Sequence, residues 1–169
     1  MGDVTAALAA NRAAVGEFIA AAEQAASHWT DPRAPGKWSP SQVVEHVARS
    51  LEESAHEAAG VPSKFPTFPS FVRPVVRGVF FNRVLKRGAF PRAKTPAAFD
   101  PASGPASPAD GRARVETALG EFEHACQARS GSGATMSSTI FGTVAVSDYV
   151  RFQELHTRHH QSQLSPETR

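Results

Sequence analysis

The residues with the clearest chemical potential lie near the end of the chain, in Leu155-His156-Thr157-Arg158-His159-His160-Gln161-Ser162-Gln163-Leu164. His156 and His160 are four apart, so on a helix their imidazoles leave the same side, one turn apart. That geometry suits two ligands of one metal ion. Neutral imidazole favours zinc, nickel, copper or iron over the hard oxygen-seeking cations. The chain holds seven histidines in 169 residues. Chance alone supplies about 0.3 pairs at this spacing in such a chain, so the pair needs support from elsewhere. A zincin reading fails, because that motif needs Glu directly after the first histidine and Thr157 stands there.

Support comes from His46, on or beside the apolar stripe of a second helix. An inward histidine must be hydrogen-bonded or ligated. Alone it is more often a satisfied core residue. Together with an inward His156–His160 pair it builds three neutral imidazoles around one point, with coordination positions left open. His159, three residues from His156, could also turn towards that point.

Helices must position these side chains. Val4 to Ser27 is alanine-rich and carries Leu8, Val15, Phe18 and Ile19 on one stripe. The second helix has the strongest start signal. Ser39 is its N-cap, Pro40 occupies the first helical position, and Gln42 completes a capping box. Trp38 and Val43 form a hydrophobic staple. Val43, Val44, Val47 and Leu51 mark its buried side, and it ends near Gly60-Val61-Pro62. A third helix spans about Phe71 to Leu85, with Phe71, Val75, Val79 and Phe80 on a shared face. A proline-rich connection follows, about 87–108. The next helix covers about Ala109 to Ala128, burying Val115, Leu119, Phe122 and Cys126, before a Ser/Gly break at 130–134. Residues 136–146 read as irregular, with only 139–146 alternating. Ser147 caps the last helix, about Asp148 to Leu164, whose Tyr149, Phe152, His156, His160 and Gln163 share a face. The sum is one all-α domain over 1–169, a four-helix bundle with a long crossover connection.

Composition narrows the function classes. Hydrophobic residues make up 41% and charged residues 20%, which suits a folded core. A net charge of +2 does not argue for a nucleic-acid partner. The one cysteine, Cys126, excludes an internal disulfide and a cysteine zinc site. No run approaches a membrane span and the start lacks signal-peptide order, so a cytoplasmic protein without a membrane partner is expected. Basic residues gather at Arg73, Arg77, Arg83, Lys86, Arg87, Arg92 and Lys94, a patch able to attract a carboxylate. Glu45, Glu53 and Glu154 read as helix-surface residues. Trp29 and Trp38 flank a loop and either pack or wall a pocket.

Trp38-Ser39-Pro40-Ser41-Gln42-Val43-Val44-Glu45-His46-Val47 resembles the W-S-x-x-x-V/I-x-x-H-L opening of the second helix in the DinB-like superfamily. His156 to Leu164 resembles its closing H-x-x-H-H-x-x-Q-L segment. Phe141-Gly142 before a capped helix is similar to the F-G-x-L-S run of one branch. The resemblance covers about Trp29 to Leu164, with its motifs in order. It implies a DinB-like four-helix bundle and a divalent metal, nickel or zinc, on His46, His156 and His160, with His159 outside the ligand set. It also implies a small-molecule substrate and makes a homodimer an expectation. Related proteins use a low-molecular-weight thiol as co-substrate in S-transfer or isomerisation, or are described as metal-dependent hydrolases. Thiol transfer is favoured over hydrolysis because no carboxylate stands out as general base. The alternative is a non-catalytic, stress-related module that binds a metal or small ligand. Gln161-Ser162, where the family has Arg-Gly, and the proline-rich connection are departures that bear on substrate choice.

Overall fold

The computed structural model describes residues 3–91 and 99–165, and the fold is mostly helical with one small two-stranded sheet. Helix α1 spans Val4–Gln24, with Asp3 accepting from the Thr5 and Ala6 amides as its N-cap. A 3-10 turn, Ala26–His28, leads to the loop before α2, Pro40–Ala59. The second helix starts as its sequence dictates. Ser39 and Gln42 form the reciprocal capping box, Pro40 sits in the first turn, and Gly60 closes the helix at φ 76°, a left-handed conformation that glycine adopts without strain.

Helix α3, Arg73–Val76, passes without a break through a π-helical turn, Arg77–Phe81, into α4, Asn82–Arg87. Here the sequence expectation and the structure part. Phe71, Val75 and Val79 are exposed, while Phe81 and Val84 are buried and Phe80 packs against the core. The wider π turn lets adjacent Phe80 and Phe81 both face inward, where Phe81 stacks on Phe152 at 5.0 Å between centroids. Part of the proline-rich connection, 92–98, lies outside the described residues.

Helix α5 runs Pro108–Ser132, past the glycine–serine break expected from residue 130. Its last turn is anchored from outside, because Arg129 Nε donates to the Ala58 carbonyl at the end of α2 (2.8 Å). Strands β1, Thr135–Ser138, and β2, Gly142–Ala145, then pair antiparallel, Met136 opposite Val144. This hairpin replaces the irregular segment expected there. Helix α6, Val146–Gln161, follows directly. Ser147 is not its cap: the Val146 amide donates to the Ala134 carbonyl, so the chain passes from the sheet into the helix at Ala145 with no intervening loop.

The core forms where α1 packs on α5 and α6, and α2 packs on α5. Every expected stripe residue of α1, α2 and α5 is buried, including Phe18, Val47, Leu51 and Phe122 at no measurable exposure. Cys126 is buried there too, and burial beside Glu123 pushes its thiol up to about 12. No helix among the described residues is long and apolar enough to cross a membrane.

Glu45, Glu53 and Glu154 are not surface residues. Glu53 and Glu154 are buried and Glu45 is half-buried, each held by basic groups or a backbone amide. Glu154 pairs with Arg151 and Arg158, Glu53 accepts from the Lys64 amide, and Glu45 pairs with Arg49 and Arg114. A fourth carboxylate, Glu57, ties the hairpin to α2. Its Oε1 accepts from the Thr139 amide and hydroxyl (2.7 and 2.6 Å), and its Oε2 from the Tyr149 hydroxyl (2.8 Å). Glu57→Gln keeps one carbonyl acceptor and weakens the other bond. We expect a loss of about 1–2 kcal/mol in the urea unfolding free energy. An unchanged midpoint would show that the carboxylate contributes nothing to holding the hairpin.

Candidate metal centre

His46 projects from the middle of α2, and His156 and His160 from successive turns of α6. The helices bring them together as one cluster, each offering a ring nitrogen within 4.8 Å of the others. His156 Nε2 lies 3.3 Å from His46 Nε2 and 3.1 Å from His160 Nε2. Three nitrogens at metal–ligand distances of 2.0–2.1 Å in a tetrahedral shell stand about 3.3 Å apart. The two spacings made by His156 match a shared cation, and the third pair lies within 4.8 Å.

The outer nitrogens decide what the inner ones can do. His46 Nδ1 lies 3.1 Å from the Phe99 carbonyl, which can only accept, so Nδ1 carries the proton and Nε2 presents a lone pair. His160 Nδ1 donates to Gln163 Oε1 at 2.9 Å and leaves its Nε2 in the same state. Gln163 is oriented in turn, with its Nε2 3.3 Å from His159 Nε2. Two fixed lone pairs thus point at the ring of His156. One proton on His156 serves only one of them well, and it would leave Nδ1, which has no partner among the described residues, as an orphan acceptor. A divalent cation would satisfy all three Nε2 atoms at once, with the His156 proton on Nδ1 as the one ring N–H of the three that has no partner among the described residues. The residues fit a metal, with the outer hydrogen bonds that orient imidazole ligands on two of the three.

Electrostatics agree. Burial pushes His160 down to about 3, with the neighbouring His46 adding to it. Burial and the adjoining histidines hold His156 well below its ordinary value. His46 is lowered by burial, opposed by the Phe99 carbonyl. All three are neutral at pH 7, the ligating form. The sign for the metal-free protein follows. Below about pH 6.5 the unfolded chain takes up protons that the folded chain refuses, so stability falls with pH. By pH 5.5 His160, pushed down to about 3, alone costs about 1.4 kcal/mol. We expect the melting temperature of chelator-treated protein to drop from pH 7 to 5.5, and the slope to flatten in His160→Gln. Parallel curves for the two proteins would contradict this.

A cavity of about 740 Å³ opens beside the cluster. Trp38, Phe65, Phe80, Phe90, Phe99, Phe141 and Phe152 give it aromatic walls, while Ser50, Gln153 and Gln163 supply polar points. Trp38 thus walls the pocket, its ring 4.8 Å from His46, whereas Trp29 is a buried packing residue. His159 lines the cavity outside the cluster, its ring 5.0 Å from His160. None of the described basic residues from Arg73 to Arg87 reaches the cavity. Its cations are Arg33 and Lys37, because that helical segment turns Phe80 inward and leaves its arginines and lysine on other faces. Asp100, the only acid on the described lining, accepts from Trp38 Nε1 at 2.6 Å.

The second half of the proline-rich connection is stitched to the start of α2. Ser41 Oγ and Trp29 Nε1 both donate to the Pro105 carbonyl (2.7 and 2.8 Å), and Gln42 Nε2 to that of Pro101 (2.9 Å). The carbonyl of Phe99, which fixes His46, belongs to this same stretch. Sequence reasoning missed Phe99, because a backbone carbonyl carries no side-chain signal. Gln163 did carry one, three residues after His160 on the same face.

A family model described as "Protein of unknown function (DUF1569)" matches residues 8–167. No curated protein and no solved structure gives a significant match.

Proposed function

The chain belongs to the DUF1569 family, and with no activity in that description we propose, from the chain's own three-histidine centre, that it is a metal-dependent enzyme. We read its four long helices as a DinB-like four-helix bundle. His46, His156 and His160 hold one divalent ion, nickel or zinc, through Nε2. The observation that carries this is the convergence of two tautomer-fixed Nε2 lone pairs on a third imidazole at 3.1–3.3 Å. A metal there supplies Lewis acidity, lowering the pKa of a thiol or water so that a nucleophile exists at neutral pH.

The surrounding residues favour a low-molecular-weight thiol over water. Hydrolysis asks for a general base, yet Asp100 is engaged by Trp38, and Glu45, Glu53 and Glu154 are held by other partners. Thiol transfer asks less of the protein. The thiol sulfur attacks an electrophilic carbon, the C–S bond forms, the bond to the leaving group breaks with its electron pair, and the thiol proton passes to solvent. The aromatic walls exclude water and hold the apolar part of a small electrophile, while Gln153 and Ser50 offer hydrogen bonds to its polar part.

The test is a screen of the nickel- and zinc-loaded protein with cysteine-derived thiols and a panel of aryl and alkyl electrophiles. Thiol-dependent turnover, abolished by a chelator and restored by the metal, is expected. Stoichiometric metal with no turnover across the panel would reject the enzyme and leave a metal-binding module.

A further inference from the structure

We propose that the outward face of residues 71–87 docks on an anionic lipid surface. The face is continuous. Phe71, Pro74, Val75, Gly78 and Val79 form its first half, and Arg83, Lys86 and Arg87 its second, all exposed. Phe71 is 79% exposed, Val75 62% and Val79 64%, and with Val61 they are the large hydrophobic residues that the described fold leaves in solvent. Burial elsewhere was available to them, since Phe80, Phe81 and Val84 of the same segment turn inward. The fold has instead spent its inner positions on other residues and left this stripe out.

Charge selects the occupant. The sequence holds no Asp or Glu between Glu57 and Asp100, while Lys64, Arg73, Arg77, Arg83, Lys86, Arg87, Arg92 and Lys94 fall in that interval. Arg73 and Arg77 brace the segment by donating to the Phe68 and Thr143 carbonyls, which holds the helix with its stripe outward. Apolar side chains able to enter the acyl boundary, beside cations level with the headgroups, match the chemistry of an interfacial helix on an acidic bilayer. A second copy of the chain fits worse. A parallel pairing sets cation against cation, and an antiparallel one sets Arg83, Lys86 and Arg87 against Phe71 and Val75. The expectation of no membrane partner rested on the lack of a spanning segment, and surface contact needs none.

The test is co-sedimentation of the full chain with sucrose-loaded vesicles, either phosphatidylcholine alone or an equal mixture with phosphatidylglycerol. Partitioning onto the mixed vesicles should be at least tenfold stronger and should weaken with added salt. F71S/V75S/V79S and R83E/K86E should each lose tenfold or more, with circular dichroism unchanged because every altered residue is exposed. Equal partitioning onto both vesicles, or none, overturns the proposal. So does an F71S/V75S/V79S protein that binds like wild type, since loose charge attraction would then suffice. Sedimentation velocity gives the third refutation: a dimer that F71S/V75S/V79S dissociates would assign the stripe to a second copy.

Discussion

His156→Ala should leave the protein without metal. Wild type, purified without a histidine tag and given nickel or zinc, should carry about one equivalent by elemental analysis. Removing the imidazole that stands 3.1 and 3.3 Å from its two neighbours deletes the central ligand. Two nitrogens then remain, and affinity should fall on the order of a thousandfold, about 4 kcal/mol. His46→Ala should do the same and also release the Phe99 carbonyl. His159→Ala is the control. Its ring lies outside the cluster, and its expected effect is limited to loosening Gln163, within about tenfold. A wild type that takes up no metal, or a His156→Ala protein that keeps its full equivalent, would dismantle the three-histidine reading.

The second large effect is expected at Gly104, far from any ligand in sequence. A Cβ there would stand 2.1 Å from the Ser41 carbonyl oxygen, 2.4 Å from its carbon and 2.5 Å from its hydroxyl. Two of these are backbone atoms in the first turn of α2 and cannot rotate aside. Gly104→Ala must therefore push the connection off the helix, stretching the bonds to Pro101 and Pro105 and carrying the Phe99 carbonyl away from His46. We expect a loss of about 3 kcal/mol or more in unfolding free energy, of the size that overpacking produces. Metal affinity should drop between about 10- and 100-fold, the usual effect of losing a ligand's outer hydrogen bond. Gly120→Ala, with nothing within 4 Å of its Cβ in exposed helix, should instead stabilise by up to about 1 kcal/mol. Urea titration and a competition assay for zinc report both quantities. A Gly104→Ala protein with wild-type stability would mean that this contact is not close.

What the sequence made readable was local. Ser39, Pro40 and Gln42 specify the start of α2 through atoms within one turn of each other, and the structure has that cap. His156 and His160 share a face for the same reason, as does Gln163. The pairing of α6 with His46 is long-range; the rule that an inward histidine needs a partner suggested it, and the family resemblance strengthened it. Periodicity put Phe71, Val75, Val79 and Phe80 on one face, but it does not say which way a face points, and the π turn takes Phe80 off it and into the core. The hairpin escaped because its strands are four residues each and their anchor, Glu57, lies about eighty positions away. Glu53 and Glu154 escaped likewise: a carboxylate looks like a surface residue until the arginine or amide that neutralises it is brought alongside.

Cys126 gains meaning beside the proposed chemistry. A catalyst that handles electrophiles is exposed to the reagents it consumes, and its own sulfur is the natural casualty. Here the sole sulfhydryl is buried on the core side of α5 and pushed up to about 12, so almost none of it is thiolate at neutral pH. The folded protein is thereby shielded from alkylation by the electrophiles of the proposed reaction. In an assay of the proposed reaction that counts remaining sulfhydryls, the folded protein should stay silent, and every equivalent lost would belong to the small thiol.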